Sequence, residues 1–405
     1  MKKLIVELEW LHQTQKVGEL EVFQARGAER YQFTYDKDWV SRNPSFTIDP
    51  LLELSARYPQ SSNELWGAFQ DISPDRWGKL VQSRVANTHL QPSDYMLGVS
   101  DKMRMGALRL SFADEPELHL ANNTDVPKLV NLRELEEAIH RLENGQETPV
   151  DLAILAEPGS SLGGAHPKAS IVHNGKLYIA KFQSNLDTER VSLWEATMLD
   201  LARYAGINTA NYLLINATGD KPILLVERFD RTTDGGRIPF ASAMTLLGRN
   251  ESNKDGASYI ELSDAINTFS PQPNIDRREL FKRMTFNAMS GNIDDHLRNH
   301  GFLRQKAGWG LSPAYDINPT NELFNRRSHN LSFDGDRFQP SLAVCIELSP
   351  YFGLSKVETD VVLRDILISL EHWQKVAKNH GLRGDEIKHM ENSFSHFNEI
   401  AKYLS

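Results

Sequence analysis

The chain has one cysteine, Cys345, among 405 residues. A lone thiol can form no internal disulfide and no cysteine-based zinc site, so a reducing compartment is expected. No apolar run approaches the roughly 18–20 residues needed to cross a bilayer. Met1-Lys2-Lys3 leads directly into Leu4-Ile5-Val6-Glu7-Leu8-Glu9-Trp10 with no signal-peptide pattern, and no membrane role is expected. Positive charge is not in excess either. Lys and Arg total 45 against 54 Asp and Glu, a formal charge of −9, which is poor footing for binding nucleic acid or anionic lipid unaided. Internal repeats and low-complexity tracts are missing. What is present is 40% hydrophobic and 24% charged residues, enough apolar material for sizeable cores. With a length roughly two to three times that of a usual domain, the expectation is a cytoplasmic protein of at least two folded units.

Residues 1–112 read as a β-rich module. Leu4, Val6, Leu8 and Trp10 alternate with polar residues, and Lys16-Val17-Gly18-Glu19-Leu20-Glu21-Val22 repeats the alternation, as in a half-buried antiparallel sheet. A helix is expected over residues 75–87, with Ser73 and Pro74 as its cap and first turn. Residues 113–130 lose periodicity and read as a linker. From 131 to 235 the pattern is β-rich around one helix. A helical run at 131–142 precedes a Gly-rich turn, and the strands Ala169 to His173 and Leu177 to Phe182 are joined by Asn174-Gly175. A helix over 190–204 is closed by Gly206, and the strand Ile223 to Val226 runs into Glu227-Arg228-Phe229-Asp230-Arg231. Residues 236–405 read as mostly helical. Leu280, Phe281, Met284 and Ala288 share a face before Gly291. Ser355 and Glu358 have capping-box spacing ahead of a helix carrying Val362, Ile366, Leu370, Trp373 and Ala377. Ile387, Met390, Phe394, Phe397 and Leu404 stripe a last helix. These stripes read as core faces.

The most informative stretch is Gly291-Asn292-Ile293-Asp294-Asp295-His296-Leu297-Arg298-Asn299-His300-Gly301. Asp294 and Asn299 have D-x-x-x-x-N spacing, in which a carboxylate orients an attacking hydroxyl and a carboxamide oxygen holds Mg²⁺ on phosphates. A polar helix-ending turn with Asn299 as a cap has the same appearance. A short hairpin, Gly301 to Arg304 and Gly308 to Leu311, leads to Tyr315-Asp316, where kinase-like folds keep a second Mg²⁺ ligand. Upstream, Lys181 ends a strand where a lysine could meet nucleotide phosphates, although strand-edge lysines are usually only solvated. Glu195, on the next helix, could tether that lysine or simply be a helix glutamate. Ser160-Ser161-Leu162-Gly163-Gly164-Ala165, with Lys168 nearby, could bring backbone N–H groups to phosphate oxygens. Glu227 to Phe229 would then meet adenine mainly through its backbone, or be a surface strand end with local ion pairs. The order of these features is that of a kinase. Arg277, Arg278, Lys282 and Arg283 form a basic patch that reads as a solvated helix face. Neither G-x-x-x-x-G-K-[ST] nor G-x-G-x-x-G is present. His296 and His300 lack the glutamate of a zinc helix, and no calcium loop or G-x-S-x-G elbow is found.

Over its whole length the chain resembles the HipA family of serine/threonine-kinase toxins from bacterial HipBA toxin–antitoxin modules. The resemblance is carried by Ser161 to Lys168, Ile179-Ala180-Lys181, Val226 to Arg231, Asp294 to Asn299 and Tyr315-Asp316, and in the N-terminal module by Phe69 to Asp75 and Met105-Gly106-Ala107-Leu108. It implies an α+β architecture, with the N-terminal β-rich module ahead of a bilobed protein-kinase-like fold of β-rich N-lobe and all-helical C-lobe. It also implies ATP and Mg²⁺ as cofactors, Asp294 as the catalytic aspartate, and Asn299 and Asp316 as Mg²⁺ ligands. Ser161, Gly163, Gly164, Ala165, Lys168, Lys181, Glu227, Phe229, Asp230, His296 and Asn299 would surround ATP, and Ser161, or adjacent Ser160, would be the autophosphorylated serine. The implied partners are a HipB-like helix-turn-helix antitoxin, through which alone operator DNA is reached, and an aminoacyl-tRNA synthetase substrate of the glutamyl-tRNA synthetase kind. His166 and Pro167 depart from the family's glutamine and glutamate, and Asp295 replaces a small residue. A small-molecule phosphotransferase, or a nucleotide-binding corepressor without turnover, are the alternatives.

Overall fold

Alternating side chains build the first sheet. In the computed structural model β1 (Lys2–Trp10) and β2 (Gln13–Ala25) form a long antiparallel hairpin, with Leu4, Val6 and Leu8 of one strand and Val17, Leu20 and Val22 of the other buried. The structure describes residues 1–120, 131–156, 166–216, 221–322 and 327–405. Two compact units are present, one of Met1–Asn185 and Leu225–Asn250, the other of Leu186–Leu224 and Glu251–Ser405.

In the first unit β3 (Ala28–Tyr35), β4 (Gln60–Ser62), β5 (Leu108–Phe112) and β6 (Glu115–His119) complete a six-stranded sheet in the order β4-β3-β2-β1-β5-β6. The linker expected at 113–130 therefore begins with an edge strand. Ser111 pairs with His119 because period-2 geometry needs only a few residues once β5 offers an unpaired edge. Short helices α1 (Lys37–Arg42), α2 (Gly67–Asp71), α3 (Arg76–Ala86) and α4 (Pro92–Leu97) lie between the strands. The cap of α3 is Asp75, whose Oδ1 accepts from the Gly78 N–H at 2.7 Å, rather than Ser73 and Pro74. A carboxylate at that position is the better match for the unpaired amides of the first turn.

Beyond these come α5 (Leu132–Glu143), α6 (Pro149–Ala156), β7 (Lys168–His173) and β8 (Lys176–Lys181). Asn174 and Gly175 take φ of 50° and 75°, the left-handed pair that a two-residue hairpin turn demands. Strand β8 is flanked by β10 (Ile223–Glu227). β11 (Phe240–Ser242) and α8 (Ala243–Leu246) close the unit.

The second unit comprises α7 (Val191–Tyr204), β9 (Tyr212–Ile215), α9 (Tyr259–Phe269), α10 (Pro273–Ser290), the hairpin β12 (Gly301–Gln305) and β13 (Gly308–Leu311), then α11 (Leu342–Leu348), α12 (Lys356–Leu370), α13 (Trp373–Asn379), α14 (Gly384–His389) and α15 (Asn398–Leu404). The helix expected from Val362 to Ala377 is two helices, broken at Glu371-His372, and the last expected helix is α14, a 3₁₀ turn at Met390–Phe394 and α15. Among the described residues no helix is long and apolar enough to cross a membrane.

These units do not follow the boundaries at 112–130 and 235 that composition suggested. Residues 131–185 fold with the N-terminal module, where α6 packs on α3. Residues 236–250 join them because Asp71 receives the Ser242 N–H, the Ser242 hydroxyl and the Thr245 hydroxyl, each at 2.7 Å. Helix α7 goes to the other unit because it is apolar nearly all round: Leu193, Trp194, Met198, Leu199 and Leu201 are all buried, and the helix packs against α12 and α13. Helix α12 keeps its expected capping box, in which the Glu358 N–H donates to Ser355 Oγ and Glu358 Oε2 accepts from the Ser355 N–H at 2.9 Å. Ser355→Ala removes one half of it, and thermal unfolding is expected to show a loss of about 1 kcal/mol, roughly 2–4 °C.

Candidate active site

The D-x-x-x-x-N stretch follows from how α10 ends. Gly291 takes φ of 78°, a left-handed turn at which a side chain would be strained and would press on Arg327. That turn carries the chain out of α10 into Asn292, whose Nδ2 donates to Asn287 Oδ1 at 3.2 Å. Leu297–Asn299 then form a single 3₁₀ turn before β12.

On this loop Asp294 is exposed while Asp295 and Asn299 are buried. Asn299 Nδ2 donates to the Asp294 carbonyl at 3.1 Å, so its amide hydrogen is used inside the loop and its oxygen is the atom suited to a cation. The Tyr315 hydroxyl donates to the Arg298 carbonyl at 2.6 Å and ties the Asp316 segment to the same loop. The Ala314 N–H donates to the Asn208 carbonyl at 2.7 Å and pins the start of that segment as well. Asp316 itself sits at φ of 58°, a costly left-handed conformation for a non-glycine residue, and Asn318 Nδ2 approaches its Oδ1 at 3.5 Å. Partial desolvation pushes the Asp294 carboxyl above its ordinary range. His296 opposes that shift, the negative charges of Asp316 and Asp295 add to it, and the amide of Asn330 opposes it. A carboxylate raised in this way is a better proton acceptor near neutral pH than an ordinary one.

The residues present fit a hard divalent cation shared with phosphate. Among the described residues no cluster of three His, Cys, Asp or Glu could hold a metal alone. Mg²⁺, however, binds through one or two carboxylates, waters and substrate phosphates rather than a closed protein cage. The Asp316 carboxylate and the Asn299 carboxamide oxygen are the donor types that would suit such a set. The buried Asn318 Oδ1, which has no hydrogen-bond partner, lies two residues from Asp316, as expected beside a site that a cation and its water complete.

Asp295 is explained by burial. Its Oδ2 accepts from the Tyr259 hydroxyl, from Asn287 Nδ2 at 3.0 Å and from His300 Nε2 at 2.9 Å. Burial alone would raise this carboxyl, but His300 and the Tyr259 hydroxyl outweigh it and hold it at about 2. Asp295 is thus the post that fastens the loop carrying Asp294 and Asn299 to α9 and α10. Nothing in the local sequence signals it, because Tyr259 and Asn287 reach it only through the fold.

The first unit holds the other candidates. Lys168 and Lys181 are directly paired across β7 and β8. Lys168 Nζ lies 3.0 Å from Asp75 Oδ2, both side chains nearly fully buried, so this lysine fastens the start of β7 to the cap of α3. Glu227 Oε1 accepts from Lys176 Nζ at 2.6 Å, and the Phe229 ring centroid lies 6.3 Å from that of Phe240. Asp230 is wholly buried: Arg228, Arg231 and the Gly106 N–H occupy its carboxylate, which therefore turns to the protein interior and orders the strand end. Glu195 lies buried on α7 of the second unit. Ser160, Ser161, Gly163, Gly164 and Ala165 lie outside the described residues. The basic patch is engaged within its own unit. Arg277 donates to Asn274, Arg278 pairs with Glu358, Lys282 donates to the Gly206 carbonyl, and Arg283 is buried on the Ser312 carbonyl.

Comparison with known proteins agrees with the α+β kinase-like architecture. Residues 8–111 match the HipA N-terminal domain, and residues 160–399 match the HipA-like C-terminal domain. The serine/threonine-protein kinase toxin HipA of Shewanella oneidensis is 23% identical over 375 residues, covering 83% of this chain and 80% of that protein. The solved complex of Shewanella oneidensis HipA with HipB and operator DNA superposes with a TM-score of 0.71 at 18% identity, covering 98% of this chain and 99% of that one. With both domains matched in order along the chain, the protein belongs to the HipA family.

Proposed function

We propose that the chain is an ATP- and Mg²⁺-dependent serine/threonine protein kinase acting as the toxin of a toxin–antitoxin pair. The observation that supports this is the second unit's loop, in which Asp294 is exposed, Asn299 Nδ2 is bound to the Asp294 carbonyl and the segment carrying Asp316 is tied to the loop through the Tyr315 hydroxyl. Asp294 accepts the proton of a substrate serine or threonine hydroxyl. Asn299 and Asp316 would hold Mg²⁺, which supplies neutralisation of the charge on the transferring phosphoryl group. Lys181 is assigned to the phosphates and the backbone around Glu227 and Phe229 to adenosine, while Lys168 holds the start of β7 through Asp75. Asp230 contributes by ordering that backbone.

The glycine-rich stretch is assigned the self-modified serine, Ser161 or Ser160. A phosphate there adds about 1.5–2 negative charges beside ATP and repels it. The named relative is a kinase toxin solved with HipB and operator DNA, which supports a HipB-like helix-turn-helix antitoxin as partner. A net charge of −9 accords with leaving DNA contact to that partner. The substrate proposed is an aminoacyl-tRNA synthetase of the glutamyl-tRNA synthetase kind, whose modification would stall translation.

The test is incubation of the purified chain with labelled ATP and Mg²⁺, with and without cell lysate, followed by phosphopeptide mapping. Phosphate is expected on Ser160 or Ser161 and on a synthetase. Label on a metabolite with none on any protein would replace this reading with a small-molecule phosphotransferase.

A further inference from the structure

Among the described residues a side chain from outside the Asp294 loop touches the Asp294 carboxylate. Asn330 Nδ2 donates to Asp294 Oδ1 at 2.5 Å, and the Asn330 backbone N–H donates to the Ile293 carbonyl at 3.0 Å. The amide is oriented by the chemistry, since its oxygen turned towards a carboxylate would be repelled. Asn330 is exposed, yet its neighbours His329, Leu331 and Ser332 are buried and fixed. The His329 N–H donates to the Phe338 carbonyl at 2.8 Å, and the Ser332 hydroxyl donates to the Ala257 carbonyl at 2.6 Å. The Phe333 ring packs between those of Tyr259 and His329, at centroid distances of 5.9 and 5.2 Å. An exposed polar side chain held this firmly is a placed group rather than a solvated one.

We propose that Asn330 is a positioning residue for phosphoryl transfer: by occupying Asp294 Oδ1 it locks the carboxylate rotamer and leaves Oδ2 to face the substrate hydroxyl. This rests on the reading of Asp294 as the catalytic aspartate. In the step, the hydroxyl proton passes to Asp294 Oδ2 while the hydroxyl oxygen forms its bond to the γ-phosphorus. The bond from that phosphorus to the bridging oxygen breaks, and its electron pair leaves with ADP. A misdirected carboxylate would lower the rate of this step without altering how ATP is held. A carboxamide suits the task. It donates without carrying charge, whereas a lysine or arginine at the same place would stabilise the anion and weaken it as a base.

The experiment uses the full chain with Mg²⁺-ATP and myelin basic protein as a generic acceptor, measuring kcat and KM for ATP. Asn330→Ala should lower kcat about 10- to 100-fold, with KM for ATP within about twofold of the parent. Asn330→Asp, which sets a second carboxylate against Asp294, should lower it at least as far. Asn330→Gln, which keeps the amide donor, should recover part of the loss. A kcat for Asn330→Ala within twofold of the parent, a loss confined to KM, or no recovery in Asn330→Gln would each overturn the proposal. If the parent itself transfers no phosphate, the kinase reading of Asp294 fails first, which a normally active parent with a normally active Asn330→Ala variant distinguishes.

Discussion

Asp294→Asn is expected to lower phosphoryl transfer about 10³-fold while leaving the melting temperature equal to or slightly above that of the parent. The rate effect follows if Asp294 is the proton acceptor proposed above, a contribution usually of about 10²–10⁴. The stability effect follows from the surroundings. The charges of Asp295 and Asp316 oppose that of Asp294, which is the exposed member of the three. An asparagine is nearly the same shape. It keeps the backbone carbonyl that Asn299 Nδ2 approaches, and its Oδ1 can still accept from Asn330. Relief of repulsion without loss of a hydrogen bond is the usual signature of a group kept for activity rather than for folding. Initial rates and thermal unfolding of the two proteins, measured in one buffer, check both halves. A variant that keeps more than a tenth of the parental rate would sink the assignment of Asp294. A variant that loses rate only because it unfolds would sink the argument that the loop stands independently of this side chain.

Much of the scaffold around that aspartate is legible in the sequence, because it depends on local rules. Asn174-Gly175 demands a hairpin turn, Gly291 demands the end of α10, and Ser355 with Glu358 demands a helix start. Each is met by backbone angles or hydrogen bonds spanning at most four residues. The loop residues Asp294 and Asn299, the hairpin and Asp316 are likewise contiguous enough to be read in order. What is not legible depends on contacts far apart in the chain. Asn330 reaches Asp294 across 36 residues of sequence, and Tyr259 reaches Asp295 across the same separation. Asp295 alone reads as an unexplained extra charge; three donors from two helices and the loop end turn it into an anchor. Asp230 sits in a motif suited to a nucleotide and looks like a ligand, but two neighbouring arginines and a distant amide take up its carboxylate. Lys168 follows a glycine-rich stretch, yet its partner is a cap residue 93 positions earlier, since 168 − 75 = 93. The compact units differ from the segments read in the sequence for a related reason. Composition marks where a pattern changes, whereas a compact unit is set by where an all-round apolar helix such as α7 can be enclosed.

Asp230→Ala is expected to destabilise the first unit by about 3–5 kcal/mol, the cost usual for removing one partner from a buried ion pair. Asp230 Oδ1 accepts from Arg228 Nε at 2.8 Å, and its Oδ2 accepts from Arg231 Nη1 at 2.6 Å and from the Gly106 N–H at 2.7 Å. The same arginines donate onward to the carbonyls of Met103, Arg104 and Gly106, so one carboxylate organises the turn at 103–106 and the exit of β10 together. Without it, two guanidinium groups remain buried beside each other with no counter-charge. Burial alone would raise the Asp230 carboxyl, but Arg228 and Arg231 reverse this and hold it well below the ordinary carboxylate range. A carboxyl lowered on folding contributes its stability above the unfolded value, about 4, and loses it as the pH falls further towards the folded value. Asp230→Asn should therefore lie furthest below the parent near pH 7, and the gap should narrow below about pH 4 as this carboxylate becomes protonated in the parent's unfolded chain while it stays ionised in the folded one. Denaturant unfolding of parent and variants across that range checks the slope, and hydrogen exchange of the Gly106 amide gives a local readout. If Asp230→Asn were as stable as the parent at pH 7, or if the gap widened in acid, the carboxylate would not be what holds this junction together. The residue would then be returned to the nucleotide as a direct ligand.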